Sequence, residues 1–187
     1  MNDICLNVGK NRYRITECEF YYLDKDNHED PYVHGEQQQM TTGQLYYNKA
    51  RGLDITFGNA SYPTFGGILI RGIKNLETNQ YINQITKIVS EVFIALGNIV
   101  EEKGCIYLSE LEERKIKIEK PIQSTRIGLR EWEDDNKNYL DKPYRFIVEL
   151  VPEHRFKEKE KVVKNLLAEN KLSREGAKTI LSYYPSN

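Results

Sequence analysis

No apolar run in this chain of 187 residues approaches a membrane span, which takes about 20 consecutive apolar residues. No charged-then-apolar stretch opens the N-terminus, so no secretory leader is read there. Cysteine is scarce: Cys5, Cys18 and Cys105 are odd in number and widely spaced. They match neither a zinc-ligand spacing nor a disulfide framework, and a reducing cytoplasm is the expected compartment. An excess of one charge is missing too, since 27 Lys and Arg oppose 28 Asp and Glu for a net charge of −1. That balance counts against tight nucleic-acid binding by global charge, while leaving room for a local basic face. Internal repeats and low-complexity segments are absent. The length corresponds to about one domain, able to bury roughly two-thirds of its unfolded surface.

Against that background one segment stands out, Arg14-Ile15-Thr16-Glu17-Cys18-Glu19-Phe20-Tyr21-Tyr22. β-Branched and aromatic residues with a period of two predict a strand. Strict alternation assigns Ile15, Glu17, Glu19 and Tyr21 to one face, and Thr16, Cys18, Phe20 and Tyr22 to a core face. Two carboxylates beside an aromatic ring are costly to bury without a purpose. They are also what is needed to hold a flat ring and aim a water at it.

Elsewhere, Gly9-Lys10-Asn11 reads as a turn after a short lead-in, and 24–39 as mostly loop. Strands are expected at 44–47, 53–57 and 68–73, and a helix across 79–100 from Ile82, Ile85, Ile88, Val89, Val92, Phe93 and Leu96. Short strands follow at 105–108, 122–129 and 144–150. The tail changes character: a charged amphipathic helix at 157–170, then a second helix through Tyr183 with Ser173 as N-cap. The expected architecture is α+β, a single mixed domain with a curved antiparallel sheet over 1–156 and a helical C-terminal extension over 157–187.

In order along the chain, Arg14-Ile15-Thr16-Glu17-Cys18-Glu19-Phe20-Tyr21, His34, Gly43-Gln44-Leu45-Tyr46, Leu69-Ile70-Arg71, Arg126-Ile127-Gly128 and Lys142-Pro143-Tyr144-Arg145-Phe146 resemble the motifs of the alkyladenine (3-methyladenine) DNA glycosylase family. The resemblance spans about residues 12–150. It implies the fold of that family and a monofunctional N-glycosylase of base excision repair, releasing alkylated purines from duplex DNA. Glu19 is then the carboxylate that activates water. Arg71 supports it, and Tyr21, His34, Tyr46, Tyr47 and Asn48 line the base pocket. Lys49 and Arg51 fall where DNA is contacted. Three positions depart from the family: Asn48 and Arg51 replace a pocket tyrosine and the wedging tyrosine, and Gly58 replaces a purine-screening asparagine. These changes bear on substrate choice.

A carboxylate near a breaking N-glycosyl bond stabilises the positive sugar and accepts the water's proton. The face of Tyr21 would favour a cationic base by about 1–2 kcal/mol. Arg71 closes an apolar strand and needs an anionic partner if buried, for which Glu19 is the expected one. Lys74, Arg126, Arg130 and Lys142 are candidate phosphate contacts. His28, Glu29, Asp30 and His34 fit no metal-ligand spacing. No cofactor and no metal are implied. Two alternatives stand beside this reading. One is the same hydrolysis on RNA or a free nucleoside. The other is a non-catalytic nucleic-acid or protein-binding module, with the charged C-terminal helices docking a partner.

Overall fold

The computed structural model describes residues 1–48, 52–97, 104–111, 118–133, 135 and 137–185. Contacts divide the chain into two compact units, Met1–Val148 and Glu149–Asn187, a division that falls before the expected boundary at 156.

The first unit is α+β. Its strands are β1 (Ile4–Val8), β2 (Asn11–Asp24), β3 (His28–Glu29), β4 (Leu45–Asn48), β5 (Gly52–Thr56), β6 (Thr64–Asn75), β7 (Tyr81–Asn83), β8 (Ile106–Glu110), β9 (Ile122–Ser124) and β10 (Arg145–Ile147). One helix, α1 (Ile85–Leu96), and a 3-10 turn at Gln37–Met40 complete the described elements. The strands form one antiparallel sheet, curled as a half-barrel, in the order β4-β5-β6-β2-β1-β8, with β10 and β3 also on β2 and β7 on β6.

The apolar face explains the sheet. Leu6, Val8, Tyr13, Ile15, Cys18, Leu53, Ile70 and Ile73 meet Ile88 and Val92 of α1 in a single core. The Tyr13 hydroxyl donates to Glu91 at 2.6 Å, tying β2 to α1. The helix stops at Gly97, whose φ of 72° suits the residue without a Cβ.

The central pair carries an irregularity. Ile15 pairs with Ile73 and Cys18 with Ile70, but Glu17 pairs with Gly72, so the register slips twice within a few residues. Ile15 therefore faces the core together with Cys18, not the polar face expected from strict alternation. The bulge rotates the strand between them. Gly72 makes it possible: a Cβ there would meet Thr16 Oγ1 at 2.9 Å and Glu17 Cβ at 3.0 Å.

Several elements differ from expectation. The lead-in is a strand, β1, hairpinned to β2. The first residues of the expected helix are instead β7, paired with Gly72–Lys74 of β6. Gly66 and Gly67 lie inside β6 rather than ahead of it.

The second unit holds α2 (Lys159–Ala168) and α3 (Arg174–Leu181). Ser173 caps α3 by accepting a hydrogen bond from the Gly176 amide at 3.0 Å. A groove of about 430 Å³, lined in part by Pro152, Phe156, Lys159 and Ile180, lies in this unit. Among the described residues no helix is long and apolar enough to cross a membrane.

Candidate functional site

Register places the polar side chains. Tyr46 pairs with Asp54, Asp54 with Leu69, Leu69 with Glu19, and Glu19 with Arg145. Directly paired residues of an antiparallel sheet point to the same side, so this row crosses β4, β5, β6, β2 and β10 on the face opposite the core. Alternation adds Asn48, Thr56, Gly67, Arg71, Glu17 and Tyr21 to that face.

Glu19 is completely buried. Its Oε1 accepts from the Ile127 amide at 2.8 Å and lies 3.4 Å from Arg71 Nε. Its Oε2 accepts from the Tyr21 hydroxyl at 2.9 Å and from Arg71 Nη1 at 3.5 Å. The expected Arg71–Glu19 linkage is direct. Arg71 also donates to Glu17 Oε1 at 3.2 Å, and the same oxygen accepts from Arg145 Nε at 2.8 Å. Two carboxylates and two guanidiniums thus form one buried cluster. Burial pushes the Glu19 carboxyl above the ordinary range, while Arg71 and the amide and hydroxyl donors pull the other way. Burial lowers Arg145, against the opposing pull of Glu17.

Tyr21 is held twice. Its hydroxyl is spent on Glu19, and burial followed by the Glu19 charge drives it far above its ordinary value. One face of its ring is covered by the Arg126 guanidinium, 4.6 Å from the centroid. Arg126 is no surface phosphate contact: it grips buried Asp30 with two bonds, at 2.6 and 3.1 Å, and donates to the Phe20 and Tyr139 carbonyls. Two further phosphate candidates sit over rings, Lys142 at 3.7 Å from the Tyr139 centroid and Lys74 at 5.2 Å from that of Tyr81.

A second group lies at the β4 end of the row. The Asn48 amide approaches His34 Nδ1 at 3.4 Å and the Tyr46 hydroxyl at 3.3 Å. His34, Tyr46 and Asn48 therefore meet each other, on the face that holds Glu19 but separated from it along the row by Asp54 and Leu69. Tyr47 does not join them. It points to the opposite side, exposed, with its ring edge-on to Phe93 of α1 at 5.9 Å. Lys49 and Arg51 lie outside the described residues. His28, on β3, is held at both ring nitrogens: its Nδ1 lies 2.8 Å from the Tyr22 carbonyl oxygen and its Nε2 2.9 Å from the Tyr144 hydroxyl. A carbonyl only accepts, so in the neutral ring Nδ1 carries the proton.

Sequence reasoning passed over Asp54. It is buried on β5 in the Glu19 row. Its carboxyl is pushed up to about 7, first by burial and then by the Glu19 charge. The signal was available, an acidic residue at the second position of an apolar strand, and it is the same signal that singled out Glu19.

No family model matches the chain. It is similar to the uncharacterized protein L759 of Acanthamoeba polyphaga mimivirus, 27% identical over 181 residues, covering 79% of this chain and 81% of that protein.

Proposed function

We propose that the chain is a monofunctional N-glycosylase of the alkyladenine DNA glycosylase type, hydrolysing the bond between deoxyribose and a damaged purine in duplex DNA. One observation carries the reading: a fully buried carboxylate, Glu19, oriented by Arg71, the Tyr21 hydroxyl and the Ile127 amide on a polar sheet face. A buried carboxylate held this way has little freedom to reorient, which suits a group that must meet a water at one sugar carbon. In this mechanism the nucleotide leaves the stack and its base enters beside Tyr21 and the Tyr46–Asn48–His34 group. Glu19 accepts a proton from the attacking water, a contribution of about a hundredfold or more. Arg71 opposes the effect of burial and favours the ionised form of Glu19. Water is the nucleophile, since no lysine falls at the catalytic position and no Schiff-base step follows.

The filled coordination of Glu19 favours a second reading. Both oxygens already have donors within the protein, as in a structural ion cluster beneath a non-catalytic binding module. Glu19→Gln separates the two. The enzyme reading expects base release from alkylated duplex DNA to be abolished while duplex binding survives. Wild-type protein that binds duplex DNA but releases no base supports the module. Binding that weakens steeply with salt marks phosphate contacts, and salt-independent binding marks a free nucleoside.

A further inference from the structure

The groove of about 430 Å³ in the second unit takes its apolar lining from Phe156, Ile180 and Leu181 and its charged lining from Arg155, Lys159 and Glu153. That volume is in the range that accepts a small organic group. Its cations are unspent on acids. The Lys159 ammonium donates to the Val151 and Pro152 carbonyls, and among the described residues neither Lys159 nor Arg155 forms an ion pair with a carboxylate. Burial lowers the Lys159 amine from its ordinary 10.5, so a carboxylate brought beside it compensates a partly desolvated charge. Helix α3 ends at the groove. The Ser182 amide takes the Lys178 carbonyl, which leaves the carbonyls of Thr179, Ile180 and Leu181 without a donor inside the helix. An apolar slot, backbone acceptors and positive charge therefore lie together.

The first unit carries the complement. Glu131-Trp132-Glu133-Asp134-Asp135 sets four acids around the one tryptophan of the chain. Trp132 is 57% exposed, although tryptophan is a highly buried residue on average. Its loop is fixed at the base. The Asp135 carboxylate accepts from the Tyr139 and Leu140 amides at 2.6 and 2.8 Å, and the Asp135 amide donates to the Trp132 carbonyl at 3.0 Å. The Tyr32 hydroxyl donates to the Arg130 carbonyl at 2.9 Å. An aromatic anchor on a preformed turn loses little freedom on docking. We propose that Trp132 of one copy of this chain inserts into the groove of a second copy. Its indole N–H donates to the open carbonyls at the end of α3, since a buried indole needs an acceptor. The flanking carboxylates of Glu131 and Glu133 face Lys159 and Arg155. A second copy is the occupant because both halves of the contact, apolar and charged, are on this chain, and a net charge of −1 opposes self-association little. Each copy offers one loop and one groove, so a reciprocal pair of contacts closes a two-fold dimer and a single contact continues as a chain. Association of this kind is independent of the glycosylase reading.

The test follows the full chain by sedimentation velocity and by tryptophan emission from about 5 to 500 μM, a range set by the small size of the contact. The mass is expected to rise above that of one chain with concentration, and the emission of Trp132 to move to the blue in step. Trp132→Ala and Arg155→Glu, both at exposed positions, should each weaken association by about tenfold or more. The double variant Glu131→Arg with Glu133→Arg should lose self-association in the same way. Mixing it with Arg155→Glu should restore the heavier species, because the wild-type loop then meets a wild-type groove and the reversed loop meets the reversed groove. That rescue excludes misfolding as the cause of either loss. A wild-type chain that stays monomeric at the highest concentration overturns the proposal. So does blue emission that is independent of concentration, which places Trp132 against its own chain. Association that Trp132→Ala and Arg155→Glu leave unchanged overturns it as well, because another surface then joins the copies.

Discussion

Arg71 touches both carboxylates, whereas Arg145 bonds Glu17 and acts on Glu19 through its charge alone. The two acids therefore respond differently to loss of Arg71. Glu17 keeps its bond to Arg145 at 2.8 Å, and Glu19 keeps the Ile127 amide, the Tyr21 hydroxyl and the more distant charge of Arg145. An uncompensated buried charge costs about 3–5 kcal/mol, so Arg71→Met is expected to lower stability by that order at pH 8. The loss should shrink at pH 5, where Glu19 can escape by taking up a proton. Urea midpoints at the two pH values check this, and a pH-independent loss would mean that Arg71 contributes packing alone. Tyr21→Phe removes one donor from the same carboxylate, and about 1 kcal/mol is expected. At this scale the sequence was readable for residue type and for the Arg71–Glu19 pair, and not for the partners of Arg126. An acid in a strand and an arginine closing an apolar run are visible signals, and they led to Glu19 and Arg71. That Arg126 would turn inward onto Asp30 and Tyr21 depends on a contact 96 residues away, which no local pattern encodes.

Strand β2 shows where periodicity succeeds and where it fails. Its extent was readable, because β-branched and aromatic residues run from 12 to 23 and the strand spans Asn11–Asp24. Its faces were not, because the bulge opposite Gly72 inverts the alternation on one side. The same limit produced the overlong helix: Tyr81–Asn83 continue a helical spacing but are claimed by the edge of β6, and tertiary pairing overrides propensity. The bulge itself is testable. Gly72→Ala forces a methyl to within 2.9 Å of Thr16 Oγ1 and 3.0 Å of Asn83 Oδ1 and Glu17 Cβ. An overpacking loss of about 1–3 kcal/mol is expected, measured by chemical denaturation. On the proposed glycosylase reading, a bulge that serves only to relieve strain leaves base release intact at temperatures where the variant is folded. A bulge that positions Glu17 under Arg71 predicts reduced release there as well.

Stability belongs to the whole chain, and its pH dependence follows from which groups change their proton affinity on folding. Asp54 moves from the ordinary 3.8 up to about 7, first by burial and then by the Glu19 charge. Glu19 moves the same way for the same first reason. For a group raised in the folded state, the native protein binds more protons than the unfolded chain between the two values. Stability then falls as pH rises through that window, here from about 4 to about 7 for Asp54, and is unaffected by it below. The full displacement is worth roughly 4 kcal/mol at most. Asp24 and Asp135 act in the opposite sense. Hydrogen bonds from Asn27 and the Asp26 amide lower Asp24, and the Tyr139 and Leu140 amides outweigh burial at Asp135. Their contribution is present above the unfolded values and disappears as the solution becomes more acidic. Between pH 5 and 8 those two are ionised in both states and contribute a constant, so in that range Asp54 supplies a downward slope, which the buried Met1 amino group, lowered from its ordinary 8.0, opposes. Asp54→Asn removes the titrating group while keeping a neutral side chain of the same shape. The variant's urea midpoint should change less between pH 5 and 8 than that of wild type, with the two proteins diverging in the variant's favour toward pH 8. A wild-type midpoint that changes with pH as that of Asp54→Asn does across the interval would show that Asp54 does not take up a proton on folding there.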